Sequence, residues 1–215
     1  MSKHIYRAIQ NILGRFRVDA NSVFKGVFSV EYRGVRALRC PFDYVIYQML
    51  LSELRPDLVI EVGTNFGGGA LYLADLMEIM GHGVIHTIDI KKATSEIVQK
   101  HPRIRMFTEG WDKYDTREAE GYKKVLVIED SSHTYENTIG VMRKFAPVVT
   151  PGSYLIVEDG IVSALGIQNK YGGGPLRAIN EFLKAESDFY IDRKRCDMFG
   201  KNATFNIDGY LRKKE

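Results

Sequence analysis

Short apolar runs alternate with helix-like segments along most of this chain, and that alternation constrains its fold more than any other feature. A short run that is apolar at nearly every position is typical of a strand buried on both faces of a parallel sheet. Such runs occupy Leu58 to Val62, Val84 to Asp89, Ile104 to Thr108, Val125 to Asp130 and Ser153 to Glu158. The stretches between them, such as Leu71 to Met80 and Tyr135 to Phe145, have helical periodicity. The pattern therefore predicts βαβ units and a parallel sheet covered by helices on both faces.

The two ends of this region add a helix before the sheet and a strand pair after it. Pro41 to Leu54 has helical periodicity, and so does Leu176 to Ala185. Two strand-like pieces follow, Phe189 to Lys194 and Thr204 to Leu211, with no helical pattern between them. Because strands that follow each other directly pair antiparallel, we expect an antiparallel strand at one edge of the sheet.

The N-terminal segment differs in pattern from the rest of the chain. An apolar stripe at helical spacing runs from Ile5 to Phe16 and predicts a helix that packs on the main domain or on a second subunit. A helix lying on a membrane surface is the weaker alternative, because the stripe is short and only moderately basic. Residues Val23 to Leu38 alternate weakly and suggest a hairpin or loop. We therefore divide the chain into an N-terminal helix and cap segment, 1–40, and a main domain, 41–215.

Length and composition fit one compact domain. The chain has 215 residues, of which 45% are hydrophobic, enough to bury a sizeable core. No apolar run approaches the ~20 residues that span a bilayer, and no signal-peptide pattern opens the chain. Cys40 and Cys196 are too few for a disulfide framework, so we expect a reducing cytoplasm. The net charge of +3 is scattered, which predicts neither a nucleic-acid nor a membrane partner but leaves a homo-oligomer open.

Acidic residues and one histidine follow two of the predicted strands. Asp130 and His133 lie at the end of the strand predicted at Val125 to Asp130, and Glu158 and Asp159 lie at the end of the strand predicted at Ser153 to Glu158. Since neighbouring strands lie about 5 Å apart, three carboxylates there would repel one another unless a cation sits among them. All-oxygen ligation favours Mg²⁺, Ca²⁺ or Mn²⁺. His133 is a candidate base beside that ion, with a surface or outer-shell histidine as the alternative.

A glycine-rich turn follows the first strand of the sheet, in Glu61-Val-Gly-Thr-Asn-Phe-Gly-Gly-Gly69. Glycines let a backbone approach a ligand closely, and the following helix N-terminus attracts anions. A dinucleotide fingerprint needs a second glycine where this chain has Asn65, so a ligand without a pyrophosphate is favoured. The candidate cofactor residues in the turn are Glu61, Gly63, Thr64, Asn65, Gly67 and Gly68.

Two further strand ends complete the predicted cofactor site. Asp89 ends the second strand. Its separation along the sequence from the glycine-rich turn is typical of a carboxylate that accepts hydrogen bonds from ribose hydroxyls. After the third strand, Gly110 and Trp111 could present backbone and an indole to an adenine ring, and Asp130 borders the same crevice. A nucleoside with a carboxylate and no phosphate describes S-adenosylmethionine. A generic turn with a surface aspartate remains the alternative.

Several motifs resemble those of the cephalosporin hydroxylase family, which includes rhamnosyl and macrolide-sugar O-methyltransferases. The resemblance covers nearly everything from about Tyr32 onward. The motifs are Pro41-Phe-Asp43, Tyr47-Gln48, Leu54-Arg-Pro-Asp-Leu-Val-Ile-Glu-Val-Gly-Thr64, Asp130-Ser-Ser-His133, Pro151-Gly-Ser-Tyr-Leu-Ile-Val-Glu-Asp159 and Gly174-Pro175.

The resemblance implies a methyltransferase that depends on S-adenosylmethionine and Mg²⁺. It also implies the class I methyltransferase fold, a Rossmann-like, seven-stranded, mostly parallel sheet with helices on both faces and an antiparallel edge strand. By the same resemblance, Asp130, Glu158 and Asp159 match metal ligands, and His133 matches a histidine base. The D-x-x-H spacing also parallels the D-x-x-K of catechol O-methyltransferases. The short N-terminal region departs from relatives that enclose their substrate with a large extra domain, which leaves the acceptor open.

These observations predict an O-methyltransferase that acts on a hydroxyl of a sugar-like or natural-product small molecule. A nicotinamide oxidoreductase would need the missing second glycine. An iron oxygenase would need two histidines and a carboxylate, and His86-Thr-Ile-Asp89 has the wrong spacing for them. A non-catalytic module that binds S-adenosylmethionine or a nucleoside stays open. The loop around Tyr171 to Pro175, within 160–175, is either a substrate lid or a connector.

Overall fold

A seven-stranded sheet organises the molecule, which we describe from a computed structural model that covers His4, residues 18–92 and residues 95–215. Its strand order is β5-β4-β3-β6-β7-β9-β8. These strands are β3 (Leu58–Val62), β4 (Val84–Ile88), β5 (Ile104–Phe107), β6 (Val125–Glu129), β7 (Tyr154–Val157), β8 (Phe189–Ile191) and β9 (Tyr210–Lys213). Strand β9 pairs antiparallel with both β7 and β8, and β3 to β7 are mutually parallel. The prediction of a mostly parallel sheet with an antiparallel pair at one edge is therefore confirmed.

Helices cover both faces of this sheet. They are α1 (Ala20–Val27), α2 (Pro41–Leu54), α3 (Gly68–Ile79), α4 (Glu96–Gln99), α5 (Tyr135–Phe145), α6 (Ile161–Ala164), α7 (Gly174–Ala185) and α8 (Arg193–Cys196). Short 3₁₀ turns occupy Thr116–Ala119 and Gln168–Tyr171. One buried cluster joins the sheet to α5 and α7, and a second joins its other face to α2 and α3. Because alternate strand residues enter opposite clusters, the fully apolar runs are explained by burial on both sides.

Strand register brings the predicted functional residues to one edge. Val62 on β3 is paired with Ile88 on β4 and with Glu129 on β6, so the chain leaves all three strands side by side. Glu129 is paired in turn with Val157 on β7. The residues that follow these positions therefore lie along one carboxyl edge, where ligands collect in open α/β sheets.

The N-terminal segment departs in part from expectation. A hairpin does form, from β1 (Glu31–Tyr32) and β2 (Val35–Arg36), but residues 20–27 are helical rather than irregular. The cause is a capping box, in which the Asp19 carboxylate accepts from the Ser22 N-H and the Ser22 hydroxyl accepts from the Asp19 N-H. The predicted helix from Ile5 to Phe16 lies outside the described residues, so the boundary at residue 40 stays a prediction.

The C-terminal strands also differ from the sequence pattern. The second piece of the pair begins only at Tyr210, and the short helix α8 lies between the two strands. Asp192 starts this helix by accepting a hydrogen bond from the Lys194 N-H, a local cap that apolar periodicity does not register. No helix within the described ranges has the length and apolar character needed to cross a membrane.

Candidate active site

A cavity of about 850 Å³ opens at the carboxyl edge of the sheet. Predicted site residues make up much of its wall, namely Glu61, Gly63, Thr64, Asn65, Gly68, Asp89, Gly110, Trp111, Asp130, His133 and Asp159. Gly67 and Glu158 are the predicted residues that do not line it. Gly67 instead precedes α3 in the left-handed conformation, with a φ of 89°. The cofactor and metal predictions, made from separate motifs, thus converge on one space.

Two glycines of the turn are required by close packing. A Cβ on Gly63, whose φ is 108°, would lie 1.9 Å from the Asp130 carbonyl oxygen. A Cβ on Gly68 would lie 2.2 Å from the Arg36 carbonyl oxygen. The turn is therefore pressed against β6 on one side and against the N-terminal hairpin on the other, which fixes the cavity floor.

Asp89 is held rigidly at the cavity wall. Its Oδ2 accepts a hydrogen bond of 2.9 Å from the Asn65 N-H. Its Oδ1 accepts from the N-H groups of Ile90 and Lys91 at 2.7 and 3.1 Å. These bonds orient the carboxylate without using every lone pair, so it can still accept from hydroxyl groups of a ligand.

The indole of Trp111 forms another part of the wall. Its Nε1-H donates to the Asn137 Oδ1 at 2.8 Å. Its ring packs over Gly140 of α5, where an added Cβ would lie 2.8 Å from the indole. Because Gly140 has no side chain, the flat indole of Trp111 can lie near the ends of β5 and β6. Such a surface is suited to stacking on a planar ring.

Asp130, His133 and Asp159 form a compact group of potential metal ligands. One ligand atom from each lies within 4.8 Å of the others. The His133 Nε2 is 3.1 Å from the Asp159 Oδ2, and both side chains are about one-quarter exposed. His133 and Asp159 have φ angles of 58° and 56°, which non-glycine residues seldom adopt. Such strained backbone is commonly retained at functional sites, and here it turns both side chains toward the cavity.

Glu158 does not join this group. Its Oε1 lies 2.8 Å from the Arg39 Nη2 and accepts a 2.6 Å hydrogen bond from the Tyr47 hydroxyl. Its Oε2 accepts from the Arg39 Nε at 3.2 Å. The expected convergence of Asp130, Glu158 and Asp159 is thus not what this geometry shows, because a buried arginine engages Glu158. Its role as a metal ligand remains a prediction.

Buried carboxyl groups are concentrated around the cavity. Burial, reinforced by the Glu158 carboxylate, raises the pKa of Asp130 well above its usual range, although Arg39 opposes the shift. Burial likewise raises the pKa of Glu158 and of Glu61. The pKa of Glu129 is raised to about 7 by burial. A cation would stabilise the ionised forms of these groups, so the donor set and its electrostatics both suit a divalent ion.

Sequence reasoning missed Arg39, the buried partner of these carboxylates. Its side chain is 3% exposed, and its Nη2 lies 3.2 Å from the Asp130 Oδ2 and 3.4 Å from the Glu61 Oε1. A lone basic residue in a predicted loop normally faces solvent, so the sequence contains no signal that this one is buried. Tyr47 lies within a quoted family motif, but its contact with Glu158 could not be read from spacing.

The fold and this cavity together define the class I methyltransferase architecture. A solved structure of CmcI with SAH superposes with a TM-score of 0.67 at 22% identity, covering 86% of this chain and 83% of that chain. Another, CmcI with Mg and SAM, gives a TM-score of 0.65 at 26% identity and covers 87% of this chain and 78% of that chain.

Sequence comparison identifies the family. The family described as Rhamnosyl O-methyltransferase/CmcI matches residues 25–214. The rhamnosyl O-methyltransferase of Mycobacterium leprae is 30% identical over 195 residues, covering 86% of this chain and 84% of the relative. The chain therefore belongs to the Rhamnosyl O-methyltransferase/CmcI family, which confirms the resemblance drawn from its motifs.

Proposed function

We propose that this chain is an O-methyltransferase that uses S-adenosylmethionine and Mg²⁺ to methylate a hydroxyl of a sugar-like or natural-product small molecule. The observation that carries the proposal is the shared cavity. It places the glycine-rich turn, Asp89 and Trp111 in the same wall as the group of Asp130, His133 and Asp159. Family membership supports the reaction class.

The cofactor would lie across the ends of β3, β4 and β5. Asp89 is positioned to accept hydrogen bonds from ribose hydroxyls, and Trp111 offers its face to the adenine ring. Gly63 and Gly68 let the turn pack against β6 and against the N-terminal hairpin, which would set the N-terminus of α3 beside the methionine chain. Asn65 orients Asp89 through its N-H, which gives this residue a supporting role in place of a second glycine.

Asp130 and Asp159 would hold the divalent ion through carboxylate oxygens, with the remaining positions filled by water or acceptor oxygens. When bound, the cofactor supplies the methyl group, and the ion lowers the pKa of the acceptor hydroxyl. Among the described residues this group contains one histidine, which does not match the two-histidine pattern of iron oxygenases.

His133 is the proposed base. With its Nε2-H donated to Asp159, the imidazole keeps Nδ1 free to take the proton of the acceptor hydroxyl. The aspartate thereby fixes the ring and its tautomer while remaining beside the ion.

The acceptor would enter beside His133. Tyr171 places its ring centroid 6.2 Å from that of His133, so the 160–175 segment borders the cavity, either as a substrate lid or as a connector. The Mycobacterium leprae relative is named a rhamnosyl O-methyltransferase, which favours a deoxysugar hydroxyl as the first acceptor to test. A cytoplasmic location and a homo-oligomer stay predictions.

The test is calorimetric titration of the chain with S-adenosylhomocysteine and with S-adenosylmethionine, each with and without Mg²⁺. It is followed by a screen of rhamnosides and other glycosides, read by mass spectrometry for addition of one methylene unit. We expect cofactor binding that survives chelation and methylation that does not. Binding with no methylated product from any acceptor, with or without metal, would favour the non-catalytic binding module. Full activity in excess chelator would refute the metal dependence.

A further inference from the structure

Arg39 occupies the centre of the buried carboxylate cluster. It lies just before α2, and its guanidinium is stacked 4.8 Å from the centroid of the Tyr47 ring. Its Nη2 contacts carboxylate oxygens of Glu61, Asp130 and Glu158. The buried guanidinium of Arg39 is therefore paired with three carboxylates. One of them, Asp130, also belongs to the group that would bind the divalent ion.

The contact with Glu158 is the most complete of the three. The Arg39 Nε donates to the Glu158 Oε2 at 3.2 Å, and Nη2 forms an ion pair with Oε1 at 2.8 Å, so the guanidinium faces both oxygens as a fork. The Tyr47 hydroxyl adds a third bond to the same carboxylate. Lone pairs of Glu158 remain after these contacts, but an ion bound to them would lie beside the guanidinium, so ligation by Glu158 is weakened unless the guanidinium contact is broken or loosened.

The positive charge of Arg39 also opposes binding of the divalent ion. The Nη2 of Arg39 lies 3.2 Å from the Asp130 Oδ2, so an ion bound by Asp130 would sit close to the guanidinium. Two cations at such separation repel each other strongly where water is excluded. The arginine and the ion thus compete for the same pair of carboxylates, Asp130 and Glu158.

We propose that Arg39 withholds Glu158 from the divalent-ion site, so that an ion held by Asp130 and Asp159 gains Glu158 as a further ligand only by displacing the guanidinium from this carboxylate. The inference rests on the proposed function, because it assigns a regulatory contact to the same site. Arg39 is a positioning residue here, acting on the ion through Glu158. The resident arginine weakens ion binding and keeps the buried carboxylates paired while the ion is absent.

The experiment measures Mg²⁺ affinity of the full chain by calorimetry at mildly alkaline pH, in the presence of saturating S-adenosylhomocysteine. Arg39→Met removes the charge and the fork while keeping much of the side-chain volume. We expect it to bind Mg²⁺ about 10-fold more tightly, the size of effect that groups around a ligand shell exert. A single cooperative thermal unfolding transition shows that the variant is folded.

Two further variants test whether a change in Mg²⁺ affinity comes from the contact between Arg39 and Glu158. Arg36→Met removes a positive charge from the same cavity wall, where Arg36 is exposed and stacks on Phe66, and it should leave Mg²⁺ affinity nearly unchanged. In the double variant of Arg39→Met with Glu158→Gln, the tightening should disappear, because the carboxylate that was released is no longer there.

Several results would overturn the inference about Arg39. If Arg39→Met binds Mg²⁺ as the parent does or more weakly, Arg39 holds the carboxylates in place and the inference is overturned. If Arg39→Met fails to fold, Arg39→Lys decides, since an ammonium cannot form the fork and should still tighten binding by a few-fold. An unchanged or weaker Arg39→Lys overturns the inference. A parent that binds S-adenosylhomocysteine but no Mg²⁺ overturns both this inference and the metal dependence proposed above.

Discussion

At the scale of single residues, His133 carries the chemistry of the proposed reaction. We expect His133→Ala to lower kcat by ~10²- to 10⁴-fold, because the acceptor hydroxyl loses the group that takes its proton. Affinity for Mg²⁺ and for S-adenosylhomocysteine should change little. The measurement is steady-state kinetics with a Mg²⁺ titration on the same variant. His82→Ala, which removes a partly exposed imidazole outside the cavity, is the matched control.

The alternatives for His133 give different outcomes. A supporting role around the metal ligands would lower Mg²⁺ affinity together with the rate, by ~10- to 100-fold. Activation by the metal alone would leave His133→Ala within a few-fold of the parent, and that result would remove the base from the mechanism.

Asp89 provides the test of the cofactor site. Asp89→Ala should weaken S-adenosylhomocysteine binding by ~1 to 3 kcal/mol through lost hydrogen bonds to the ribose. Asp112→Ala is the control, because Asp112 is an exposed carboxylate on the same cavity wall. Calorimetry of both variants gives the comparison. Equal affinities for the two would exclude Asp89 from the ribose site.

The sequence predicted that Asp130, His133 and Asp159 lie at one edge of the sheet, but it did not predict that Arg39 is buried among the carboxylates. Asp130, His133 and Asp159 were recoverable because each follows an apolar run, and parallel strands end at a common edge. The contact between Glu158 and Arg39 was not predictable, because Arg39 is 119 positions from Glu158 along the chain and reaches it only in the folded state. Sequence spacing reports which residues end strands, and it does not report their charge partners.

At the scale of elements, the turn between β3 and α3 is the most constrained connection around the cavity. Gly63→Ala places a Cβ 1.9 Å from the Asp130 carbonyl oxygen, so the backbone of one strand end must move. We expect a loss of about 3 kcal/mol or more in the free energy of unfolding, together with loss of cofactor binding. Urea unfolding and calorimetry check this.

Gly81→Ala is the matched control for that substitution. Gly81 also has a positive φ, 65°, but a Cβ there meets nothing within 4 Å. Only the backbone conformation is penalised, at a cost of about 1 kcal/mol. If the two alanine variants lose the same stability, the close approach of the turn to β6 has no energetic consequence, and this description of the cavity floor is wrong.

Elements were predictable where burial dictated the pattern. Strands β3, β4, β6 and β7 are buried on both faces, and α2 and α5 begin and end where their periodicity does. Helices α1 and α8 were missed because short capping interactions at Asp19 and Asp192 start them. Eight- and four-residue helices contain too few turns for an apolar stripe to stand out.

At the scale of the whole molecule, a buried histidine links stability to acidity. His86 on β4 is 2% exposed, and its Nδ1 lies 2.8 Å from the Tyr114 hydroxyl. Burial, with a contribution from Arg105, lowers the pKa of His86 to about 4. In the unfolded chain the imidazole of His86 binds a proton near pH 6.5, whereas in the folded chain it binds one only near pH 4. Stability from this group is therefore complete above about pH 6.5 and is lost as the pH falls toward about 4.

His86→Phe should remove that dependence while keeping a ring among its aromatic neighbours. Between about pH 7 and about pH 4, the parent should lose on the order of 3 kcal/mol more of its unfolding free energy than the variant does. The comparison cancels the buried carboxyl groups, which titrate in both proteins. Parallel pH profiles in urea unfolding would show that His86 is not the source of acid sensitivity.

In the proposed function, one cavity holds cofactor and divalent ion side by side. The most direct measurement is anomalous diffraction from crystals of the chain grown with S-adenosylhomocysteine and Mn²⁺, because manganese marks its own position. We predict one anomalous peak about 2.1 Å from carboxylate oxygens of Asp130 and Asp159, with the nucleoside between Asp89 and Trp111. An occupied cofactor site with no peak at these carboxylates, or a peak elsewhere in the molecule, would contradict the account.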